Sequence, residues 1–563
     1  MAAAVNSPRF SPLLSGAVLV AATLAAYANT FAVPFVFDDV AAITQNPSLA
    51  HFSTALFPPD GLSVSGRPLA NLSFALNRAL GGEAVGGYHA VNLALHLANV
   101  LLLFSLVRRT VRSPHRTAIA FTTALLWALH PLHTASVTYV MQRTELLVSL
   151  AVLGTLSAFA RATTPAPGSG ANRWLTLSVI ACLLGMASKE VMVSAPLLVL
   201  GYDRTFVAGS FRAALRQRPR YYLALAATWL VLAGLVFGTE NRGASAGFAS
   251  ALPWSDYART QLYAVPHYLR LAVWPAPLVF DYGATVITSL ALILPGALVL
   301  AALVTATLIA LRRWPAAGFC GVWFFALLAP TSSLVPIATQ TIAEHRIYLA
   351  LAAPLTLLAV ALHRGRPRRV LFATVPLALA LGALTFGRNA DYRTLLALWQ
   401  DTAAQAPANP RAHYNLALAQ LAAGLRADAR LALASATRLD PTHAPAHHQL
   451  GTLLAADAHL AEALPHLTAS ARLTPDSAAA HYELANALVR LNRVADAAPG
   501  YAAAVRLAPD HAAARYNFGT ALAQLGRYPE ALIQFDEAAR LDPADASARA
   551  NAGRLRAYLS PAP

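Results

Sequence analysis

Over the first 387 residues, apolar positions gather into long runs separated by short polar turns. Beyond them, apolar residues recur at helical spacing within otherwise polar segments. A helix crosses the ~30 Å hydrocarbon layer with about 20 apolar residues. Eleven runs answer to that description, near residues 12–30, 88–107, 117–134, 145–161, 173–187, 191–206, 220–238, 286–311, 317–336, 345–362 and 369–386. Each predicts a membrane-spanning helix. The stretch 258–275 is only moderately apolar and is rich in Tyr, Trp and Pro, so it reads as an interfacial helix on the outer side. Ten or twelve spans are the alternatives. The polar segment 31–87 predicts a long outer loop that contains the amphipathic sequence SGRPLANLSFALN.

The charges order the turns. Arginines cluster after the second run (Arg108, Arg109, Arg112, Arg116), at the turn flanked by Arg161 and Arg173, and after the sixth run (Arg204 to Arg220). They cluster again after the eighth (Arg312, Arg313) and after the tenth (Arg364, Arg366, Arg368, Arg369). These are alternate turns, so the positive-inside rule puts them and the N-terminus in the cytoplasm; an odd span count then puts everything after 387 outside. Of the twelve acidic residues before position 401, only Asp203 falls in an arginine-rich turn. The chain carries +16 overall, but residues 401–563 hold 14 Arg and 14 Asp or Glu, so the excess belongs to the spans. That removes nucleic acid as a partner. With 57% hydrophobic and 12% charged residues, wholly soluble and disordered classes are excluded as well. Cys182 and Cys320 lie inside apolar runs and frame no disulfide. Ala26-Tyr27-Ala28 fits a signal-peptide cleavage pattern, but the alternating charges are better served by an uncleaved anchor. The expected location is a multi-pass one, in a bacterial inner membrane or the endoplasmic reticulum, with the tail periplasmic or lumenal.

Residues 388–409 are expected to be a linker. After it, Pro407, Pro441, Pro475, Pro509 and Pro543 recur every 34 residues. That period, with helical apolar spacing, is the signature of tetratricopeptide repeats (TPRs). In the last full repeat Phe518, Gly519, Leu522, Ala531, Phe535, Ala538 and Pro543 occupy the pattern positions, the small residues allowing close helix approach. Four repeats and a polar capping helix are expected over 410–563. Such a solenoid offers a concave groove for a peptide or a partner helix. The predicted class is all-α: a polytopic membrane domain over 1–387, then an α-solenoid.

Chemistry-bearing residues concentrate at the outer turns. FVFDDVAAITQNPSL puts Asp38 and Asp39 just past the first run. Adjacent carboxylates among aromatic and apolar neighbours suit a helix cap, a cation site or a general-base pair. Arg67 stands beside a Pro at the head of the amphipathic segment. HPLHTASVTYVMQRTELL holds His130 and His133 at i, i+3, a metal-compatible spacing with no third ligand evident nearby. The same segment carries Arg143 and Glu145. An acid at the head of a span is costly unless it faces a cavity or a partner, so Glu145 reads equally as a second active-site carboxylate or as the partner of Arg143. ASKEVMVSAPL contains Lys189, the only lysine against 41 arginines, which suggests a position that needs a compact ammonium. Glu190 is its expected ion partner. QTIAEHRIYLAL sets Glu344, His345 and Arg346 at the mouth of a span. Arg346 suits an anionic lipid phosphate, or else a snorkelling belt position paired with Glu344.

Taken in order, FVFDDVAAITQNP, GRPLANLSFALN, YHAVNLALHLANVLLLF, HPLHTASVTYV, SKE, YLRLAVWPAPLVFDYG and AEHRIYL resemble one family. It is that of the GT-C membrane glycosyltransferases with TPR tails, whose eukaryotic members are lumenal transmembrane-and-TPR O-mannosyltransferases. The resemblance covers nearly the whole chain. It departs where the family's Gly-Arg-Ala-Asp-like segment reads Gln142-Arg143-Thr144-Glu145. It implies transfer of mannose or another hexose from a polyprenyl-phosphate donor to an acceptor hydroxyl, Ser or Thr of an exported protein, with inversion. The family's acidic motif lands on Asp38 and Asp39, with Asp39 the expected base and Glu145 a further carboxylate. Lys189, Arg346 and Arg67 are then the expected ligands of the donor phosphate. A lipid-linked donor agrees with the lack of a nucleotide-binding Gly-rich loop. No firm metal site is implied, and a divalent cation at the acid pair stays open. The TPR groove is expected to bind the acceptor or a partner protein. Two other classes share parts of the pattern. One is a polymerase or ligase of lipid-linked glycans. The other is a non-catalytic TPR scaffold, which leaves the acids and the lone lysine at the outer turns without a purpose.

Overall fold

A computed structural model describes residues 11–164, 170–239, 252–364 and 367–560; Arg366 lies outside them. The chain divides into two units, Met1–Ala406 and Pro407–Pro563. Both are helical.

In the first unit every apolar run becomes a helix. The principal ones are α1 (Pro12–Ala26), α2 (Pro68–Gly81), α3 (Val85–Thr110), α4 (Arg116–Ala128), α5 (Arg143–Ala162), α6 (Ala171–Met186) and α7 (Ala195–Tyr202). They continue with α8 (Pro219–Phe237), α9 (Trp254–Val273), α10 (Leu290–Arg313), α11 (Pro315–Ala329), α12 (Ala352–Leu362), α13 (Pro367–Asp391) and α14 (Leu395–Gln405). Several open on Pro, whose missing N–H is one of the four that a helix start leaves unpaired anyway. Among the described residues, five helices are long and apolar enough to cross a membrane: Val85–Thr110, Val140–Ala162, Pro219–Phe237, Leu290–Arg313 and Pro315–Ser332. A sixth is counted if the pair Glu190–Val207 and Phe211–Gln217, bent by 104°, is one span. Pro12–Ala26, Ala171–Met186 and Ala352–Leu362 are apolar but shorter. The run over 117–134 is cut short because Pro131 ends α4 in a 3-10 turn. The interfacial segment is α9. It buries Tyr257, Gln261, Ala264, Tyr268 and Leu271, one stripe of its surface.

The arginine-bearing helix ends meet. The Thr110 hydroxyl lies 2.9 Å from that of Tyr202, Arg112 donates to the Phe206 carbonyl at 2.9 Å, and Arg204 donates to the Leu311 carbonyl at 3.0 Å. The turns that carry the acid pair, the lone lysine and the AEHR motif meet one another separately, as described below. Alternation in sequence has become polarity in space.

The expected linker requires correction. Residues 388–405 belong to the first unit: Arg388 binds Asp391 at 2.9 Å and Asp401 at 2.5 Å, joining α13 to α14. The Trp399 ring of α14 packs on Phe37 and Phe280, with centroids 5.8 and 5.4 Å apart. A buried Trp and a partly exposed ion-pair cluster hold this stretch in place, and the boundary falls at Ala406.

The second unit stacks nine helices, α15 (Pro410–Ala422), α16 (Arg426–Leu439), α17 (Ala444–Ala456), α18 (Leu460–Leu473), α19 (Ala478–Arg490), α20 (Val494–Leu507), α21 (Ala512–Gln524), α22 (Tyr528–Leu541) and α23 (Ala546–Leu559). The first eight pair as four repeats and α23 caps them. A Cβ on Gly519 would stand 3.0 Å from the Phe535 ring, so the glycine gives that ring close approach between α21 and α22.

Candidate active site

The two aspartates have different surroundings. Asp39 is fully buried; Oδ2 accepts the Val36 N–H at 3.0 Å and Oδ1 the Met141 N–H at 2.6 Å. It ties the first outer loop to the turn before α5. Burial pushes its carboxyl well above the ordinary carboxylate range, opposed by the backbone N–H groups of Val36, Met141 and Val140. Asp38 is partly exposed, and its backbone N–H donates to the Tyr139 hydroxyl at 3.2 Å. Phe37, one residue earlier, holds φ +49°, a left-handed conformation rare for a bulky side chain. Its ring is fixed against Phe280 and Trp399, and Phe280 also meets Tyr139 and Tyr392. An aromatic cage thus holds a strained corner that presents Asp38. Both Asp39 oxygens are taken by backbone amides, which leaves that carboxylate little capacity for a cation. Among the described residues no group of three His, Cys, Asp or Glu suits a metal.

The segment 139–145 connects this corner to the cationic residues. Arg143, fully buried, donates through Nε to Asn92 at 2.8 Å, through Nη1 to Asn77 at 2.6 Å and through Nη2 to the Tyr88 carbonyl at 3.0 Å. Its guanidinium also stacks 4.6 Å from the Phe74 centroid. Arg143 is a cross-link among α2, α3 and α5, and it does not pair with Glu145. Glu145 instead receives Lys189 Nζ at 2.6 Å, with both side chains buried. The expected Lys189–Glu190 pair is likewise replaced, because Glu190 meets Arg67 at 3.5 Å. Burial lowers the Lys189 pKa and the Glu145 charge opposes that shift. Lys189, Arg67 and Arg346 all act electrostatically on His345, so the three cations share one neighbourhood.

Arg346 is buried and does not pair with Glu344. It donates to the Tyr257 hydroxyl at 3.2 Å, to the Thr341 carbonyl at 3.0 Å and to the Gln340 carbonyl. Glu344 accepts from the Val279 N–H at 2.7 Å and the Tyr282 hydroxyl at 2.9 Å, and burial raises its pKa to about 7. A belt residue at the lipid surface would have neither arrangement.

The histidines point to packing. His130 Nε2 lies 3.0 Å from the Ala272 carbonyl, and its Nδ1 accepts the Leu132 N–H at 3.3 Å. His133 sits among the rings of Trp127, Tyr348 and His96, and among the described residues these histidines form no group of three suited to a metal.

Apart from Arg108 and Arg109 at its end, sequence reasoning singled out no residue of α3, whose His89, Asn92, His96 and Asn99 form one buried polar stripe. These bind the Val33 carbonyl, the Arg143 side chain, the Tyr348 hydroxyl and the Leu146 carbonyl, so α3 holds the first outer loop, α5 and the segment before α12 in register. The signal was available: polar residues at i, i+3, i+7 and i+10 within an apolar run. Tyr139 and Trp399 were missed for want of any comparable local pattern.

A tetratricopeptide repeat family model matches residues 448–502 and 482–546. The protein O-mannosyl-transferase F38B6.6 of Caenorhabditis elegans is 25% identical over 454 residues, 76% of this chain and 63% of that protein. Human protein O-mannosyl-transferase TMTC1 is 31% identical over 211 residues, 34% of this chain and 24% of its own length. The chain therefore spans less than two-thirds of the length of each of these relatives. Among solved structures, ArnT from Cupriavidus metallidurans bound to undecaprenyl phosphate aligns at 16% identity over 83% of this chain and 80% of its own, with a TM-score of 0.41. The TPR protein YrrB aligns at 27% identity over 28% of this chain and 82% of its own, with a TM-score of 0.27.

Proposed function

We propose that this chain, a relative of the TPR-bearing protein O-mannosyl-transferases, is itself a membrane glycosyltransferase. It moves mannose or a related hexose from a polyprenyl-phosphate donor to a hydroxyl of an exported protein. The observation that carries this reading is a partly exposed carboxylate at a strained corner, joined through segment 139–145 to a cluster of buried Lys189 and Arg346 with partly buried Arg67. Asp38 takes the proton of the acceptor hydroxyl. The acceptor oxygen then bonds to the anomeric carbon while the bond from that carbon to the phosphate oxygen breaks. The departing polyprenyl phosphate carries the negative charge, which the cation cluster stabilises. One displacement inverts the anomeric centre. Asp39 is a positioning residue that holds the corner through Val36 and Met141, and Glu145 holds Lys189. The TPR unit binds the acceptor or a partner protein.

The test is donor turnover by purified protein. Asp38→Asn is expected to abolish transfer with the thermal transition unchanged. Normal transfer by that variant would overturn the mechanism, and a scaffold role would then account better for the chain.

A further inference from the structure

At the end of the first unit where the arginine-bearing turns meet, α3, α11 and α12 enclose a groove of about 1000 Å³. Its walls are apolar, with Leu106, Phe319, Trp323 and Val360 among them. Its mouth carries Arg112, Arg313 and Arg364, all exposed. Asp203, the single acid of these turns, is already occupied: Arg218 binds it at 2.9 Å and the Tyr222 hydroxyl at 2.6 Å. The three guanidiniums at the mouth are therefore not neutralised by it. Trp314, also on the lip, is 64% exposed, as an aromatic side chain is at the headgroup level of a bilayer.

We infer that this groove binds an anionic phospholipid, its acyl chain between α3, α11 and α12 and its phosphate on Arg112, Arg313 and Arg364. Each part of the site matches a part of that molecule. The wall is long and apolar enough for a chain, and a basic mouth between helix ends fits an anionic headgroup. A zwitterionic lipid gains the chain contacts without the net charge. A free phosphate gains the charge without the chain. The groove lies at the opposite set of turns from the acid pair and the cation cluster, so it is a second site, and its readout does not pass through sugar transfer.

The experiment is native mass spectrometry of the detergent-solubilised full chain titrated with palmitoyl-oleoyl phosphatidylglycerol, with the matching phosphatidylcholine as comparison. Phosphatidylglycerol is expected to bind saturably and phosphatidylcholine at least about fivefold more weakly. The triple variant Arg112→Gln/Arg313→Gln/Arg364→Gln should lose about fivefold per arginine, about a hundredfold in all. Ala317→Trp, which fills the groove without altering charge, should weaken both lipids. Equal affinity of the triple variant and the parent for phosphatidylglycerol overturns the proposal. So does displacement of the lipid by millimolar inorganic phosphate, which marks a headgroup-only anion site.

Discussion

At the residue scale, neighbours in sequence face different partners. Lys189 has φ −161° and ψ 148°, and in extended backbone successive side chains point to opposite sides. That is why Lys189 finds Glu145 while Glu190 finds Arg67. The singularity of Lys189 was legible from composition; its partner, 44 residues away, was not. The pairing changes what a substitution reports. Lys189→Met leaves Glu145 buried without a cation, at a cost of about 3–5 kcal/mol, so lost activity alone would be ambiguous. The double variant Lys189→Met/Glu145→Gln is expected to recover the thermal stability while donor turnover stays ten- to a hundredfold low, roughly the value of one charge-assisted phosphate contact. Recovery of both would reduce the pair to a structural clasp. The aspartates separate in the same way. Asp39→Asn sets amide hydrogens against a backbone N–H and is expected to destabilise by about 2–3 kcal/mol, whereas Asp38→Asn should not. Glu344 gives a pH test. Its pKa rises from 4.5 to about 7 on folding, so the folded chain holds an extra proton between those values. Stability is then greatest below about 4.5 and is lost as pH rises through 7, by at most about 3 kcal/mol. Thermal melts of Glu344→Gln should lack this slope; an identical slope would place the titration elsewhere.

At the element scale, the eleven apolar runs were legible because each is a long uniform signal. Their ends were not, since prolines and 3-10 turns remodel the outer edge. Helix α14 escaped notice because eleven residues of mixed polarity read as linker until Phe37 and Phe280 are brought to Trp399. Its role is open to a truncation test. A chain ending after Ala406 is expected to fold as well as the full membrane unit, whereas one ending after Thr394 should melt markedly lower, having lost a buried Trp contact of about 3–5 kcal/mol. Equal melting of the two would return 395–405 to the status of a tether.

At the scale of the whole molecule, alternating arginines along the sequence predict that the acid pair and the TPR tail lie on one face of the membrane. With Cys182 and Cys320 replaced by Ala, a cysteine at exposed Ala479 is expected to react with an impermeant maleimide in intact cells. Reaction only after permeabilisation would invert that topology. The Glu145–Lys189 bridge also sets a clock. Synthesis runs at about 5–20 residues per second, so Lys189 leaves the ribosome roughly 2–9 s after Glu145. Throughout that interval α5 holds a carboxylate whose cation has not yet been made. Helices α5 and α6 are therefore expected to mature as a hairpin, and a nascent chain arrested between them holds a carboxylate still without its cation.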